Sequence, residues 1–379
     1  MCKNKLTYFI FVVMFLLGCH SKVTNNDKHE ITDTIIYADA ETTPVTSRYG
    51  EDAADDPAIW IHPSDAAKSM VIGTNKKAGL CVYNLQGDEL YFYPVGRANN
   101  ADVRYNFTFD NNNSIDIVGA SNRTNNTVII MGINPETREL FDVAAREIPS
   151  RVDEVYGFCL YFDPATKKHY AFVNGKEGKI EQWELFDNGN QQIDAKIVRN
   201  LKVDSQPEGM VADDELGYLY VGEEMKGIWK FRAGADQSNE KSFLAMSDTT
   251  NHDISYDIEG LAIYYGSQKN GYLIASSQGN YRYAIYERGG DNAYITSFSI
   301  KDKLIDGVEE TDGLDVTNVS LGDLYPHGLL VVQDGFNYEG DSLLNQNFKY
   351  VRWDKIAKLT APNLLMDSQF NLRDFSKKN

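Results

Sequence analysis

Cysteine is scarce in this 379-residue sequence, which has four cysteines in all. Cys2 lies in an amino-terminal leader and Cys19 ends it, so only Cys81 and Cys159 remain for the rest of the chain. Both lie in apolar, strand-like segments ("LCVYNL" and "FCLYF"), which favours buried free thiols over a disulfide bridge. No group of cysteines and histidines has the spacing of a zinc or haem site.

The sequence also lacks the common nucleophile motifs of phosphate-transferring enzymes. It has no Cys followed five residues later by Arg, no Arg-His-Gly motif and no glycine-rich loop ahead of a helix. The six histidines are scattered along the chain, so we expect neither a histidine nor a cysteine nucleophile. A metal-activated water is then the natural attacking group for any phosphate hydrolysis.

Positive charge is in deficit as well. The chain has 37 Lys and Arg against 55 Asp and Glu, a formal net charge of −18. We therefore do not expect it to bind nucleic acid. It would repel an anionic ligand unless cations were bound with that ligand.

The first 35 residues indicate export. Lys3 and Lys5 precede an apolar run over residues 6–17 that is too short to span a membrane, and "LLGC" at residues 16–19 matches a lipobox. We expect a signal peptide over residues 1–18, a lipid on Cys19 and a polar tether over residues 19–35. The expected product is a monomeric bacterial lipoprotein that contacts a membrane only through its anchor. His20 after Cys19 favours the outer membrane.

Six similar segments follow one another over residues 36–360. Each pairs two strand-like runs around a polar loop, as in "LYVGEEMKGIWKF", and each follows a shorter element that begins with an acid. A period near fifty with little helix signal is typical of propeller blades. The sequence predicts an all-β, six-bladed β-propeller, closed by pairing of the segment "DTIIYADAETTPV" with the last blade, and a tail over residues 361–379. The leading acids are Asp56, Asp102, Glu154, Glu208, Glu259 and Asp312.

Repeat geometry places these acids and the polar loops at one end of the central channel. Clustered carboxylates disfavour one another's ionisation unless a cation neutralises them. Hard oxygen ligands without imidazole or thiolate favour calcium. Each acid alone could be a solvated rim residue, but six in register favour a calcium site.

Basic residues in the loops of the first three blades add a second feature to this face. They are Lys76, Lys77, Arg123 and Lys176, whereas acids concentrate in blades four to six. A face with a cationic half and a metal-holding half suits a ligand with many negative oxygens, above all phosphates. Arginine grips such groups through two hydrogen bonds and lysine acts as a point charge.

Two motifs, "DAADDPAIW" at residues 52–60 and "NNADVRY" at residues 99–105, resemble the signatures of the β-propeller phytases, or alkaline phytases, of the 3-phytase type. The similarity continues in order through "DEVYGF", "GKEG", "PEGM", "DIEGL" and "NQNFK", and it covers residues 36–360. The resemblance implies a hydrolase that releases phosphate from phytate (myo-inositol hexakisphosphate), bound as a calcium complex, by metal-assisted attack of water.

The resemblance also implies the residues of the site. Those expected to be catalytic are Lys76, Tyr156, Lys176 and Glu208, and those expected to bind substrate phosphate include Lys76, Arg123 and Lys176, with Lys77 beside them. The ligands expected for several Ca²⁺ ions at the active site are Asp55, Glu208, Glu224, Asp257, Glu259 and Asp312, with Glu41 as a further candidate. Asp56 and Asp334 match positions expected at structural calcium sites.

Two other functions remain open at this point. A calcium-dependent lactonase or esterase on a propeller would need an apolar pocket around a single metal, and the basic cluster disfavours it. A non-catalytic phosphate-binding propeller would not require the full set of acids and bases. Because carboxylates must be ionised to hold calcium, we expect activity to fall in acid.

Overall fold

The computed structural model describes residues 34–109 and 113–378, and most of its regular structure is β-strand. The predicted signal peptide, Cys19 and the tether up to residue 33 lie outside the described residues. In the described part, no helix is long and apolar enough to cross a membrane. The first strand begins at Ile35, so the folded part includes the last residue of the range predicted as tether.

Two short strands, β1 (Ile35–Ile36) and β2 (Ala40–Glu41), open the described chain. Six antiparallel sheets follow, and each forms one blade. The strands of blades one to three are β3 Ala54–Trp60, β4 Met70–Asn75, β5 Gly79–Tyr83 and β6 Glu89–Tyr93; β7 Ala98–Thr108, β8 Ser114–Asn122, β9 Thr127–Ile133, β10 Leu140–Asp142 and β11 Ile148–Pro149; and β12 Val155–Asp163, β13 Lys168–Gly175, β14 Lys179–Asp187 and β15 Ile193–Lys202.

Blades four to six complete the ring. Their strands are β16 Pro207–Asp213, β17 Tyr218–Glu223, β18 Gly227–Arg232 and β19 Lys241–Phe243; β20 Ile258–Tyr265, β21 Gly271–Ser277, β22 Arg282–Glu287 and β23 Tyr294–Ile300; and β24 Leu314–Thr317, β25 Leu329–Asp334 and β28 Asn347–Arg352, with the hairpin β26 Tyr338–Glu339 and β27 Ser342–Leu343 between the last two. The helices are α1 Trp353–Ile356, α2 Leu372–Lys378 and four 3₁₀ turns at Ala66–Lys68, Ser267–Lys269, Gln278–Asn280 and Ala357–Leu359.

The first strand of each blade lines the central channel. These inner strands (β3, β7, β12, β16, β20 and β24) contact one another in chain order, and β24 contacts β3. The contacts therefore close into a ring of six, which confirms the predicted six-bladed propeller. All six blades share the same strand order, so the starts of the inner strands meet at one mouth of the channel.

Residues from the start of the chain complete the last two blades. Strand β2 pairs with β28, with Ala40 opposite Tyr350, and becomes the outer strand of blade six. This pairing confirms the predicted closure. Strand β1 adds to blade five by parallel pairing with β23, which the sequence did not predict.

The core lies between the blades. Strands β4 and β5 are buried along their whole length, which explains the apolar runs "MVIG" in β4 and "GLCVY" in β5. At the junction of blades one and six, a Cβ on Gly73 would lie 2.4 Å from the Phe348 ring, so only glycine fits there. Cys81 and Cys159 are buried and unpaired, as expected.

The predicted tail packs against the end of the channel opposite the strand starts. Phe370 stacks on Tyr265 with ring centroids 5.1 Å apart, and α2 contacts β7. The Arg373 guanidinium contacts the Asp116 carboxylate and donates to the Ile61 carbonyl at 2.7 Å. Residues 371 and 372 line a cavity in the channel with the far ends of the inner strands. The tail therefore covers part of this end of the channel.

Candidate metal and phosphate site

The inner strands share an irregularity at their starts. In β3, β7, β12, β16 and β20 the pairing with the second strand shifts by one residue within the first few positions. Such a bulge leaves a residue outside the regular ladder and redirects its side chain. The first bulge residue of each blade, with the corresponding residue before β24, gives the set Asp55, Asn99, Tyr156, Glu208, Glu259 and Asp312.

Glycine follows four of these six residues, and the reason is steric. A Cβ on Gly209 would lie 1.8 Å from the Glu259 carbonyl oxygen of the next blade. A Cβ on Gly157 would lie equally close to the Glu208 carbonyl oxygen. Neighbouring inner strands therefore approach backbone to backbone at the mouth, and this draws the bulge side chains together.

Three glutamates form the centre of the acidic part. One carboxylate oxygen from each of Glu208, Glu224 and Glu259 lies within 4.8 Å of the others, and all three residues are buried. Within the described residues, Glu259 Oε2 and Asp55 Oδ1 accept no hydrogen bond. Buried carboxylate oxygens without a donor are costly. An all-oxygen donor set with unpaired oxygens fits a hard divalent cation such as Ca²⁺.

The pKa values of these acids also indicate that the protein does not fully neutralise their negative charge. Burial, followed by the charges of neighbouring acids, raises the pKa values of Asp55 and Glu259 well above the ordinary range, although Lys76 opposes the shift at Asp55. Burial raises the pKa values of Glu224 and Asp312 to about 7. Burial and then Glu208 also raise the pKa of Asp257. Without a bound cation, the cluster therefore holds protons near neutral pH.

Side-chain amides orient three of the carboxylates. Gln206 Nε2 donates to Glu224 Oε1 at 2.6 Å, and Gln278 Nε2 donates to Asp312 Oδ1 at 2.7 Å. Asn99 Nδ2 donates to Glu208 Oε1 at 2.8 Å. Groups that hydrogen-bond a ligand carboxylate fix its orientation for a metal.

The basic part of the mouth is built around an aromatic ring. Lys176 Nζ lies 4.6 Å from the centre of the Tyr156 ring, and the Arg123 guanidinium carbon lies 5.5 Å from it. Arg123 Nη1 donates to Asn99 Oδ1 at 3.1 Å. Burial, and then the charge of Glu208, raises the pKa of Tyr156 far above its usual value, so its hydroxyl stays protonated.

Comparison with known proteins decides the family. Residues 5–378 match the family model described as Phytase. The chain belongs to the phytase family. It is 45% identical over 338 residues to the 3-phytase of Bacillus subtilis, which covers 88% of this chain and 86% of that protein.

Solved structures with more distant similarity include an auxiliary nutrient binding protein from Bacteroides thetaiotaomicron, at 9% identity and a TM-score of 0.48 over 80% of this chain and 69% of that one. Another is the Cps50 (Swd1) β-propeller domain of Myceliophteria thermophila, at 11% identity and a TM-score of 0.42 over 79% of this chain and 83% of that one.

The structure brings most of the predicted site residues of this phytase-family protein to one mouth. Lys76 lies deeper among the acids than the predicted division into halves suggests: its Nζ is 3.2 Å from Asp55 Oδ2 and 2.9 Å from Asp312 Oδ2. Lys77 is exposed on the same turn. The predicted residues that meet here are Asp55, Lys76, Arg123, Tyr156, Lys176, Glu208, Glu224, Asp257, Glu259 and Asp312.

Three predicted metal ligands lie elsewhere. Asp56 faces the channel interior, where its Oδ2 accepts from the Ala101 amide at 3.0 Å. Glu41 and Asp334 both contact the ammonium group of Lys349 at the blade six rim, at 2.5 and 3.3 Å. Their roles as calcium ligands remain predictions.

Three of the six leading acids were placed in the wrong register. In blade one the bulge residue is Asp55, one position before the predicted Asp56. Asp102 lies three residues beyond Asn99, where both its oxygens accept from Arg104 Nη1 at 2.8 and 2.9 Å. Glu154 precedes the bulge at Tyr156 and lies at the outer edge of the mouth, where its Oε1 is 2.7 Å from Arg123 Nη2. Acid spacing does not reveal where a bulge falls. In four of the blades, the glycine after the bulge residue would have shown it.

Proposed function

We propose that this protein is a calcium-dependent phytase that releases phosphate from phytate at the strand-start mouth of the propeller. The family and the 45% identity to a 3-phytase give the activity. The observation that carries the assignment to this mouth is the Asn99 side chain. It joins Glu208 of the acid cluster to Arg123 of the basic cluster, so the two kinds of group needed for phosphate chemistry lie in contact.

The calcium ligands in this proposal are the mouth carboxylates of Asp55, Glu208, Glu224, Asp257, Glu259 and Asp312. When bound, Ca²⁺ supplies positive charge beside the phosphoryl oxygens and helps to orient the attacking water. The unpaired oxygens of Asp55 and Glu259 support this assignment, since they leave acceptor positions unused.

The basic groups bind and orient the phosphate. Arg123 and Lys176 offer N–H donors from one side of the mouth, and Lys76 offers its ammonium group from among the acids. Charge-assisted hydrogen bonds of this kind are about twice as strong as neutral ones. They also become stronger as negative charge builds up in the transition state.

Two groups can handle the proton of the leaving alcohol. Breaking the phosphorus–oxygen bond leaves an inositol alkoxide, which takes a proton from Lys176 Nζ or from the Tyr156 hydroxyl. Burial keeps the Tyr156 hydroxyl protonated at neutral pH. Water supplies the hydroxyl group of the product phosphate and releases its remaining proton to solvent, from which the proton donor is restored, so no covalent phosphoenzyme is required.

The first test is phosphate release from phytate by the exported chain at neutral pH, with calcium, with a chelator, and with calcium added back. We expect release that is lost in the chelator and restored by calcium. Release unaffected by the chelator would contradict the calcium sites. No release from a folded protein that still binds phytate would leave the non-catalytic binder, and hydrolysis of lactones instead would support the lactonase.

We also propose that the protein is held at the outer membrane by lipid on Cys19, because the leader has a lipobox. The experiment compares wild type with Cys19→Ser by fractionation. We expect wild type in the membrane fraction and the variant released or unprocessed. Equal membrane association of a processed Cys19→Ser variant would contradict the anchor.

A further inference from the structure

The Glu154 carboxylate contacts Arg123 and Lys176, two of the basic residues that the proposed function assigns to phosphate binding. Its Oε1 accepts from Arg123 Nη2 at 2.7 Å and lies 3.6 Å from Lys176 Nζ. The Glu154 side chain is 48% exposed, against 15% for Arg123 and 33% for Lys176. The acid is therefore the partner that can swing into solvent, while the cations stay at the mouth.

The two cations are held in place without Glu154. Both lie against the Tyr156 ring, and Arg123 also donates to the buried Asn99 side chain. A carboxylate oxygen between an arginine and a lysine has the charge and hydrogen-bonding character of one oxygen of a phosphate group. Glu154 thus occupies a position in which a phosphoryl oxygen would make the same contacts.

We propose that Glu154 fills the phosphate position in the ligand-free protein and competes for it with the phosphate groups of the substrate. The inference rests on the proposed function, since it assigns Arg123 and Lys176 to substrate phosphate. Every anionic group that enters this position displaces the same carboxylate, so Glu154 weakens the binding of each such ligand by a similar factor.

The hydrogen bond from Arg123 lowers the pKa of Glu154, so this carboxylate stays ionised at neutral and mildly acidic pH. The competition therefore persists at neutral and mildly acidic pH. Exposed ion pairs contribute little, so the exchange is easy, and removing the competitor should change affinity by roughly two- to five-fold.

Asp52 is an internal comparison. Its Oδ1 lies 2.8 Å from Lys76 Nζ. Like Glu154, Asp52 is an exposed acid that contacts a less exposed basic side chain. Lys76, however, keeps two further carboxylate partners, Asp55 and Asp312. Removing Asp52 would leave Lys76 neutralised, whereas removing Glu154 would leave Arg123 and Lys176 without a carboxylate contact in the described part of the chain.

The experiment measures equilibrium binding of phytate and of myo-inositol hexasulfate to wild type, Glu154→Gln and Asp153→Asn, at fixed calcium and ionic strength. Asp153 is the matched control, since it is 80% exposed, adjacent in sequence, and 3.9 Å from Lys179. We expect Glu154→Gln to bind both the hexasulfate and phytate about two- to five-fold more tightly, by similar factors. Asp153→Asn should change both affinities little and equally.

Two results would overturn the proposal. Weaker phytate binding by Glu154→Gln would mean that the glutamate only positions the two cations. Equal changes in Glu154→Gln and Asp153→Asn would mean a general effect of surface charge. Should Glu154→Gln fail to fold, Glu154→Ser tests the same point. Binding and phosphate release are separate readouts. A wild type that binds but releases no phosphate would refute the proposed function and not this one, and a wild type that binds neither ligand would refute both.

Discussion

Two groups of buried carboxylates differ in how their charge is neutralised. At the blade six rim, the fully buried ammonium group of Lys349 contacts Glu41, Asp306 and Asp334. At the channel mouth, the three central glutamates make no salt bridge within the described residues, and some oxygens of the surrounding acids accept no hydrogen bond. The chain itself neutralises the rim group (Glu41, Asp306 and Asp334) through Lys349. The mouth group (Glu208, Glu224 and Glu259) needs a cation that the chain does not supply.

The difference separates structure from function. The rim group joins β2 to β28 and so belongs to the closure of the ring. The three central glutamates of the mouth have no such cation, and burial raises the pKa values of Glu224 and Glu259. Burial raises the pKa of Asp334 at the rim to about 7 as well, so the ion pairs with Lys349, and not the pKa values, distinguish the rim. Changes at the rim should therefore act on stability, and changes at the mouth should act on calcium binding and activity.

Lys349→Met gives the largest expected effect on stability. Removing one partner of a buried ion pair leaves uncompensated charge and costs about 3–5 kcal/mol of unfolding free energy. Denaturant unfolding measures it, with Lys355→Met as control. Lys355 is partly exposed, and its Nζ lies 2.8 Å from Asp39 Oδ1. Lys355→Met should therefore lower the unfolding free energy by about 1 kcal/mol or less. Equal losses of unfolding free energy in the two variants would mean that Lys349 stabilises the protein no more than an exposed ion pair does.

Glu208→Gln gives the largest expected effect on activity. It removes a ligand charge from the centre of the mouth group, so phosphate release from phytate should fall by roughly a hundredfold or more. The melting temperature measured in a chelator should stay level or rise, because a buried repulsive charge is lost. Glu136→Gln, on an exposed loop, is the activity control. A large loss of stability with Glu208→Gln would contradict the contrast with Lys349.

The pH dependence of stability should differ with and without calcium. The folded pKa values of Asp312 and Glu224 are about 7, above their unfolded values near 4, so the metal-free folded state binds more protons than the unfolded state. Stability in a chelator should then fall as pH rises from about 4 to 7, by about 1.4 kcal/mol per pH unit for each extra proton bound.

Calcium competes with these protons, so its stabilising effect should increase over the same interval. Thermal unfolding with and without calcium at several pH values measures both slopes. A calcium effect that does not grow between pH 5 and 7.5 would mean that the raised pKa values do not belong to the calcium site.

Asn99→Ala gives the smallest of these effects. It removes the donor to Glu208 and the acceptor for Arg123, so both groups lose orientation, and activity should fall by about tenfold. The calcium concentration for half activity should rise, which a general packing defect would not cause. Asn99→Asp restores the acceptor for Arg123 but adds repulsion towards Glu208. A variant with unchanged calcium dependence would show that Asn99 fills space only.

The fold was largely predictable because repetition is a local property. Strand-like runs such as "VIGT" and "LYVG" recur with a period near fifty, and a blade built from them has only a few ways to pack. The site residues in blades four to six were also predictable. There the acid stands directly before a glycine, as in Glu208 and Glu259, and the sequence shows the bulge.

Other parts of the site could not be read from the sequence. The leading acids of blades one to three were assigned to Asp56, Asp102 and Glu154, whereas the mouth receives Asp55, Asn99 and Tyr156. Which of two neighbouring residues points into the channel depends on one shift in strand pairing, and a one-residue shift reverses the direction of every side chain after it.

The amino-acid sequence by itself determined the six blades, the excess of acid and the set of side chains available for calcium and phosphate. The tertiary structure alone decided which acids are neutralised by the chain and which are left for a metal. Lys349 reaches Glu41 across 308 residues of sequence, and Asn99 reaches Glu208 across 109. Such pairings depend on distances between blades, which the folded ring sets and sequence spacing does not contain.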